Sequence, residues 1–497
     1  MCSAPTSGVS RKAPVLQPSK LPAGASPGTS PEAPSGDVKE QIVSLYKAQD
    51  KIYARAVSGW FARWRWALVW ATQLLFYGLP WVNWNGRQAV LFDLGARRFY
   101  IFELVLYPQD FIYLTGLLIV SAYALFLFTT VAGRLWCGYA CPQTVYTEIF
   151  MWVERRIEGD RMRRMKLDQG PWTFEKLWRK SAKQAAWIAI GLWTGFTFVG
   201  YFTPIQLLGS EVLSFSLGPW ETFWVLFYGF ATYGNAGWMR EQVCKYMCPY
   251  ARFQSVMFDK DTLIISYDQE RGDPRGTRSR KLSAKEQGLG DCIDCGLCVQ
   301  VCPTGIDIRN GLQYECIGCG ACIDVCNDVM DKVGYPRGLV KYATQNGLAN
   351  HWSKTQMLRR AMRPRVLIYS GILLAITTAV FVSLWLRTPL KVDVIRDRGA
   401  LARMVEQGRI ENVFRLQLMN TTETPQRYTV SVGGLPGINL ASDQAFEVLP
   451  SEVRSAVVRV QIPPGATPGS YPIDFDIQAI DNEDVRVREA AAFLVPR

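Results

Sequence analysis

Histidine is almost missing from this chain, which has one, His351, in 497 residues. A membrane b-type haem commonly takes two axial histidines, a Rieske centre two, and a histidine-rich copper site several. The scarcity argues against all three, so metal chemistry must run through sulfur, and His351 reads as a surface or interfacial residue. A second shortage is positional: the 13 cysteines stop at Cys326. The last third of the chain therefore has no thiol to oxidise or to offer a metal. A third shortage is of Lys and Arg between residues 204 and 219, which have none, although the chain carries 55 and a formal charge of +12.

Residues 1–38 are rich in Pro, Ser, Gly and Ala and lack an apolar core, so they predict a disordered tail and no signal peptide, with Cys2 incidental. Beyond it, 49% hydrophobic residues and 17 Trp point to a membrane. Five apolar stretches have about the 20 residues needed to span a bilayer: 66–84, 111–132, 185–203, 220–238 and 366–386. The fourth, with Gly229, Gly234, Asn235 and Gly237, is the weakest, and a buried re-entrant helix is its alternative. Trp60, Trp64, Trp66, Trp81 and Trp84 flank the first as an interfacial belt would.

Lys47, Lys51, Arg55, Arg63 and Arg65 precede the first span, and residues 154–183 hold ten basic residues against five acidic ones. Both segments belong in the cytoplasm by the positive-inside rule, and the 204–219 loop, without Lys or Arg, belongs outside. Arg359, Arg360, Arg363 and Arg365 precede the last span, which leaves the C-terminus external. Arg87, Arg97 and Arg98 are exceptions, since they fall in an outside loop. The charge thus reads as topology and lipid-headgroup contact, with no nucleic-acid partner.

From residue 390 the pattern becomes short alternating segments, 412–420, 426–433, 454–462, 472–480 and 485–495, separated by turn signals. They predict an antiparallel, immunoglobulin-like sandwich suited to docking a partner.

The strongest signal is the run Cys292-x2-Cys295-x2-Cys298-x3-Cys302-Pro303 followed by Cys316-x2-Cys319-x2-Cys322-x3-Cys326. In bacterial-type ferredoxins the fourth Cys of each run ligates the other cluster. One [4Fe-4S] cluster then takes Cys292, Cys295, Cys298 and Cys326, and the other takes Cys316, Cys319, Cys322 and Cys302. Gly296, Gly318 and Gly320 let backbone approach sulfur. Asn327 stands where a Pro is usual. Zinc knuckles or a disulfide scaffold are the competing readings, and two consecutive CxxCxxCxxxC runs suit neither well.

A second constellation is an internal echo: Cys137-x3-Cys141-Pro142 after the second span and Cys244-x3-Cys248-Pro249 after the fourth. Residues four apart share a helix face, and Pro suits the first position of the next helix. Four thiols can converge at the cytoplasmic membrane edge, and soft thiolates select Cu(I) or iron–sulfur clusters. Met239, Met247 and Met257 are further soft donors nearby. Buried, inert cysteine is the bland alternative. A further cluster or a cycling disulfide also stays open.

The expectation is a multi-domain membrane protein. Residues 1–40 form the disordered tail, and 41–260 an α-helical transmembrane domain with four spans and both CxxxCP motifs. A bacterial-type 2[4Fe-4S] ferredoxin-like domain (261–350), a linker with the fifth span (351–389) and a periplasmic all-β immunoglobulin-like sandwich (390–497) follow. This order of parts resembles the FixG/RdxA/CcoG family, the cytochrome c oxidase accessory proteins, over almost all of the chain past residue 40. The resemblance implies an inner-membrane electron carrier for assembly of cbb-type oxidase, with cupric reductase activity supplying Cu(I). It makes Cys137, Cys141, Cys244 and Cys248 candidates for copper binding or electron exit. Its implied partners are oxidase assembly factors, copper chaperones or transporters, membrane lipid and an unnamed electron donor; a homodimer is compatible with it. Two other functions compete: a quinol dehydrogenase electron-transfer subunit, which shares the CxxxCP spans and the ferredoxin, and a non-enzymatic assembly scaffold.

Overall fold

The computed structural model describes residues 51–277, 288–397 and 402–496. The predicted tail 1–40 and Cys2 lie outside the described residues. Helices occupy all five apolar stretches, at Trp60–Gly78, Phe111–Ala132, Phe174–Val199, Pro219–Tyr233 and Pro364–Trp385. Two helical segments, Pro108–Ala132 and Pro364–Trp385, are long and apolar enough to cross a membrane by length and composition. The other three fall short for visible reasons. Trp60–Gly78 carries Arg63 and Arg65, Phe174–Val199 carries Glu175, Lys176, Arg179, Lys180 and Lys183 in its first turns, and Pro219–Tyr233 has only 15 residues.

The two apolar helices pack on each other, and a Cβ at Gly116 would lie 2.8 Å from Val380 Cγ2. The third and fourth helices meet through Gly191-x3-Gly195 and Gly229: a Cβ at Gly195 would lie 2.2 Å from the Val225 carbonyl oxygen, and one at Gly191 2.8 Å from that of Gly229. Such close backbone contact across small residues is how helices associate where no hydrophobic drive is available.

The connection read as a basic cytoplasmic loop, residues 154–183, is helical. It comprises the end of Pro142–Glu158, all of Arg161–Gln169 and the start of Phe174–Val199. Its charges are paired inward: Glu154, 1% exposed, meets Arg164 at 2.8 Å and Arg240 at 3.1 Å, while Glu158 meets Lys183 at 2.9 Å. Burying charge in this way requires such partners.

A correction concerns the outside loop. Residues 83–106 form short antiparallel strands, including the three-stranded sheet Val90–Asp93, Arg98–Ile101 and Leu104–Leu106. Arg87 pairs with Glu423 of the sandwich at 2.5 Å and lies over the Tyr100 ring. Leu91, Tyr100, Val105 and Tyr107 pack against Met419, and the Tyr107 hydroxyl donates to the Asn420 carbonyl at 3.0 Å.

The C-terminal sandwich has two sheets. One orders Asn439–Leu440, Val453–Ile462, Ile410–Asn420 and Leu390–Arg396; the other orders Ala445–Val448, Gln426–Gly433, Gly469–Ala479 and Arg486–Val495. Alternation points Phe414, Leu416 and Leu418 inward against Tyr428, Phe475 and Phe493, with Phe414 and Phe475 edge to face at 5.1 Å. Asn412 joins the sheets by bonding the Leu494 backbone at 2.8 Å and 3.0 Å.

Asp110, 3% exposed, locks this sandwich to the helix ends: it receives Arg387 at 2.7 Å, pairs with Lys391, and accepts from the Tyr107 backbone N–H at 3.0 Å. Asp110→Ala should cost about 3–5 kcal/mol, because it strands two cations in a buried site. Limited proteolysis near residues 387–390 should quicken in the variant, with Asp110→Asn milder.

A candidate electron-transfer centre at the membrane edge

The ferredoxin segment is closed by the pair Ile264–Tyr267 and Val340–Ala343, with the helices Leu297–Gln300 and Ala321–Val333 between. Both helices open on glycine in the left-handed region, Gly296 at φ 64° and Gly320 at φ 74°. A side chain there would be strained. Two cavities result. One is lined by Cys292, Cys295, Cys298 and Cys326, with Tyr267, Val329 and Leu339. The other is lined by Cys302, Cys316, Cys319 and Cys322, with Ile265, Ile306 and Ile317, and Cys298 of the first group also reaches its wall. The fold thus brings the last cysteine of each run to the first three of the other. Each cavity offers four thiols in an apolar wall, the donor set a cubane needs.

Burial raises these thiols above their ordinary value: Cys298 to about 11, Cys316 and Cys326 to about 12, and Cys322 well above. Without metal they are neutral, so binding must release their protons. Cys295 is exposed, whereas Cys319 is buried. The first cavity therefore reaches the surface at Cys295, while the second packs against Cys137 of the helical region.

Three contacts fasten that side. Asp324, on the helix Ala321–Val333 between Cys322 and Cys326, accepts from the Phe61 and Ala62 backbone N–H groups at 3.2 Å and 2.8 Å. It caps a helix whose own N-cap is Gly59 and has no capping side chain. Arg65, 7% exposed and paired with Glu148 at 2.6 Å, faces Cys319. Gly138 presses directly on the second cysteine loop: a Cβ there would lie 2.8 Å from the Ile317 carbonyl oxygen and 2.9 Å from the Cys319 backbone nitrogen. Gly138→Val should therefore cost about 1–3 kcal/mol, the usual price of overpacking between backbones. A lowered thermal midpoint together with reduced iron content would show it.

Gly138 belongs to the first CxxxCP motif, so this contact seats the motif beside the second cavity. Cys137, 8% exposed, clusters with Ile317, Cys319 and Ala321, and Cys244 packs on the same group. The two motifs share a local plan that differs from one continuous helix face. Cys137 lies in the helix Leu135–Tyr139 and Cys244 in a π-helical turn, Val243–Met247. Cys141 and Cys248 are extended residues in the break, each followed by Pro at the first position of the next helix. A break of this kind exposes backbone polar groups, and π turns often mark functional sites.

The four thiols influence one another. Burial pushes Cys244 up to about 12, with Cys141, Cys137 and Cys248 adding to the rise and Arg134 opposing it; burial also raises Cys141. Among the described residues, no three His, Cys, Asp or Glu close on one point as a single bound ion requires. The quartet is a neighbourhood of thiols, not a finished cage. Met239 and Met257 are half-buried and Met247 is 58% exposed. His351 lies on the surface, 3.4 Å from Glu270.

Sequence reasoning missed Arg134 and Gln254. Arg134 is 5% exposed; its Nε donates to Gln254 Oε1 at 3.0 Å, and it also bonds the Tyr314 carbonyl. The Cys137 thiol donates to the same Gln254 oxygen at 3.3 Å, and Gln254 Nε2 donates to Thr129 at 3.2 Å. The Arg134 charge acts on both Cys244 and Cys316, opposing the rise that burial imposes on each thiol. The only signal in the sequence was a charge directly between an apolar span and a cysteine motif.

Comparison with known proteins adds three family models. A 4Fe-4S dicluster domain matches residues 239–345, a 4Fe-4S binding domain matches 114–159, and an IG-like fold at the C-terminal of FixG matches 380–496. The second of these spans the first CxxxCP motif. Among curated relatives, nitrogen fixation protein FixG of Rhizobium meliloti is 37% identical over 80% of this chain and 82% of its own length. Proteins RdxA and RdxB of Cereibacter sphaeroides are 37% and 39% identical, over 86% and 79% of this chain and 92% and 84% of their own lengths.

Proposed function

The chain belongs to the FixG/RdxA/CcoG family of iron–sulfur redox proteins, and from that premise we propose that it reduces Cu(II) to Cu(I) for insertion into a cbb-type cytochrome c oxidase. The single observation that carries this reading is the seating of Gly138 on the Ile317–Cys319 backbone, which sets the quartet against the second cysteine cavity.

In this account Cys292, Cys295, Cys298 and Cys326 hold one [4Fe-4S] cluster, and Cys302, Cys316, Cys319 and Cys322 hold the other. Such clusters supply one-electron steps. The residues around them do the positioning. Asp324 and Arg65 hold the second cavity against the membrane helices. Arg134 brings positive charge to both that cavity and the quartet, and Gln254 orients the Cys137 thiol. Cu(II), the substrate, meets Cys137, Cys141, Cys244 and Cys248, where soft sulfur favours the reduced ion.

The membrane placement is an inner-membrane, multi-pass one with five helices. The glycine contact between the third and fourth helices supports it, as does the pairing of the helix-embedded charges inward. The ferredoxin-like segment then lies in the cytoplasm and the sandwich in the periplasm, free to meet oxidase assembly factors and copper chaperones or transporters.

The experiment is an anaerobic one on holoprotein reduced with dithionite and freed of excess reductant. Mixed with Cu(II) and a Cu(I)-specific chelator, it should yield coloured Cu(I) complex in step with cluster reoxidation. Clusters that reoxidise with ferricyanide and leave Cu(II) untouched would remove copper from the account.

A further inference from the structure

The two cysteine cavities differ in the charges set around them. Beside the first, Arg309 donates to Asp307 at 2.7 Å and pairs with Asp294, so one guanidinium meets two carboxylates. Asp294 and Cys295 are exposed, and water screens what charge remains. Beside the second, Arg65 faces Cys319, and Arg134 lines a small cavity with Cys316, Gly318 and Tyr342. Both guanidiniums belong to buried residues, and a single carboxylate, Glu148, pairs with Arg65. Asp324 stands between the two groups, on the helix that carries Cys322 and Cys326.

Arg134 is held without a counter-ion. Gly133 ahead of it takes φ 57°, and its backbone lies against the second cysteine loop, where a Cβ at Gly318 would come within 3.2 Å of the Arg134 carbonyl. Its Nε donates to Gln254 Oε1 at 3.0 Å and its Nη1 to the Tyr314 carbonyl, both neutral acceptors. Among the described residues it forms no ion pair, and Glu315 turns to the Tyr314 hydroxyl instead. A buried cation without an anion is costly. A four-thiolate cluster in the adjoining cavity carries net negative charge, and more of it when reduced, so its reduced state offsets that cost best.

Two effects oppose each other at the second site. Burial makes it the poorer electron acceptor, because added charge is less well solvated there than beside exposed Cys295. An uncompensated guanidinium acts the other way, and a low-dielectric surrounding strengthens it.

We propose that Arg134 is a positioning charge that lifts the reduction potential of the second cluster above that of the first, so that electrons entering at the exposed Cys295 edge run inward toward the quartet. The inference rests on reading the two cavities as cluster sites on an electron path, and it adds the direction of flow. Each transfer oxidises the first cluster by one electron, reduces the second by one, and moves no proton and no bond.

The test is reductive titration of full-length holoprotein followed by EPR, with each cluster's signal assigned from Cys292→Ser and Cys319→Ser. With one electron added per chain, the second-cluster signal should dominate. Arg134→Gln should shift the electron toward the first cluster about tenfold, or about 59 mV for a one-electron couple, with the first-cluster midpoint and the iron content unchanged. Arg134→Lys should keep the wild-type partition. Gln254→Glu, which sets a carboxylate against the guanidinium without removing it, should move the second cluster in the same direction as Arg134→Gln. A first cluster that fills before the second in the wild type would overturn the inference, as would a second-cluster midpoint unmoved by Gln254→Glu, or both midpoints shifted equally. Should Arg134→Gln lose iron, Gln254→Glu decides alone. The titration contains no copper. Shifted potentials in a protein that leaves Cu(II) untouched would remove the copper reading and keep the role of Arg134, whereas Cu(II) reduction by a protein whose potentials ignore both substitutions would do the reverse.

Discussion

The double variant Cys137→Ser, Cys248→Ser is expected to keep both clusters and lose cupric reduction by at least about 100-fold, since outer-shell changes alone commonly cost 10–100-fold at metal sites. The expectation follows from how the quartet is built. Cys137 and Cys248 come from different motifs, so one substitution in each removes a thiol from both sides of the neighbourhood. Neither residue lines either cluster cavity. Serine keeps the volume nearly constant and can still bond Gln254, as the Cys137 thiol does at 3.3 Å. The fold should therefore tolerate the change. Iron content and the cluster EPR signal would be measured beside Cu(I) formation. Unaltered cupric reduction would move copper away from these thiols, and loss of iron would mean that they contribute to a cluster.

Cys319→Ser is expected to lower iron from about eight to about four per chain and to stop electron delivery to copper, because a [4Fe-4S] cluster needs all its thiolates. Its consequences should also spread further than those of Cys292→Ser. Cys319 is buried in the group that includes Cys137, Ile317 and Ala321, with Arg65 facing it and Gly138 pressed on its backbone. An emptied second cavity would leave a void beneath the membrane helices, where cavities cost stability. Cys292 is equally buried but packs within the ferredoxin segment, so thermal unfolding should fall more for Cys319→Ser, which also loosens the contact with Cys137 and Gly138.

The parts of this molecule that sequence displayed are those governed by local rules. Ligand spacing suggested a partition of eight cysteines into two groups, and the two cavities follow it apart from Cys298, which lines both. Period-two alternation located five strands of the sandwich to within a few residues, such as 426–433, observed as Gln426–Gly433. Short edges such as Ala445–Val448, and the sheet within residues 83–106, escaped because two to four residues carry too little pattern. Apolar runs located five helices but not their membrane status, since buried charge pairs such as Lys183 with Glu158 are invisible to composition. The site itself was half legible. The CxxxCP echo named its thiols, whereas Arg134 and Gln254 lie close to the motifs in sequence but carry no pattern that marks them as partners, and Arg65 comes from the first helix. Gly138 carried no signal of its own, and only the structure, where a Cβ at that position would lie 2.8 Å from the Ile317 carbonyl oxygen, shows why no larger residue fits.

The central claim is that electrons leave for copper from the second cluster, the one against the quartet. Rapid freeze-quench EPR after mixing Cu(II) with two reduced variants tests it most directly: Cys292→Ser, keeping the second cluster, and Cys319→Ser, keeping the first. The account predicts that the Cys292→Ser protein is reoxidised at close to the wild-type single-turnover rate, yielding one Cu(I) per chain, while the Cys319→Ser protein stays reduced. Fast reoxidation of the Cys319→Ser protein beside a slow Cys292→Ser protein would contradict it.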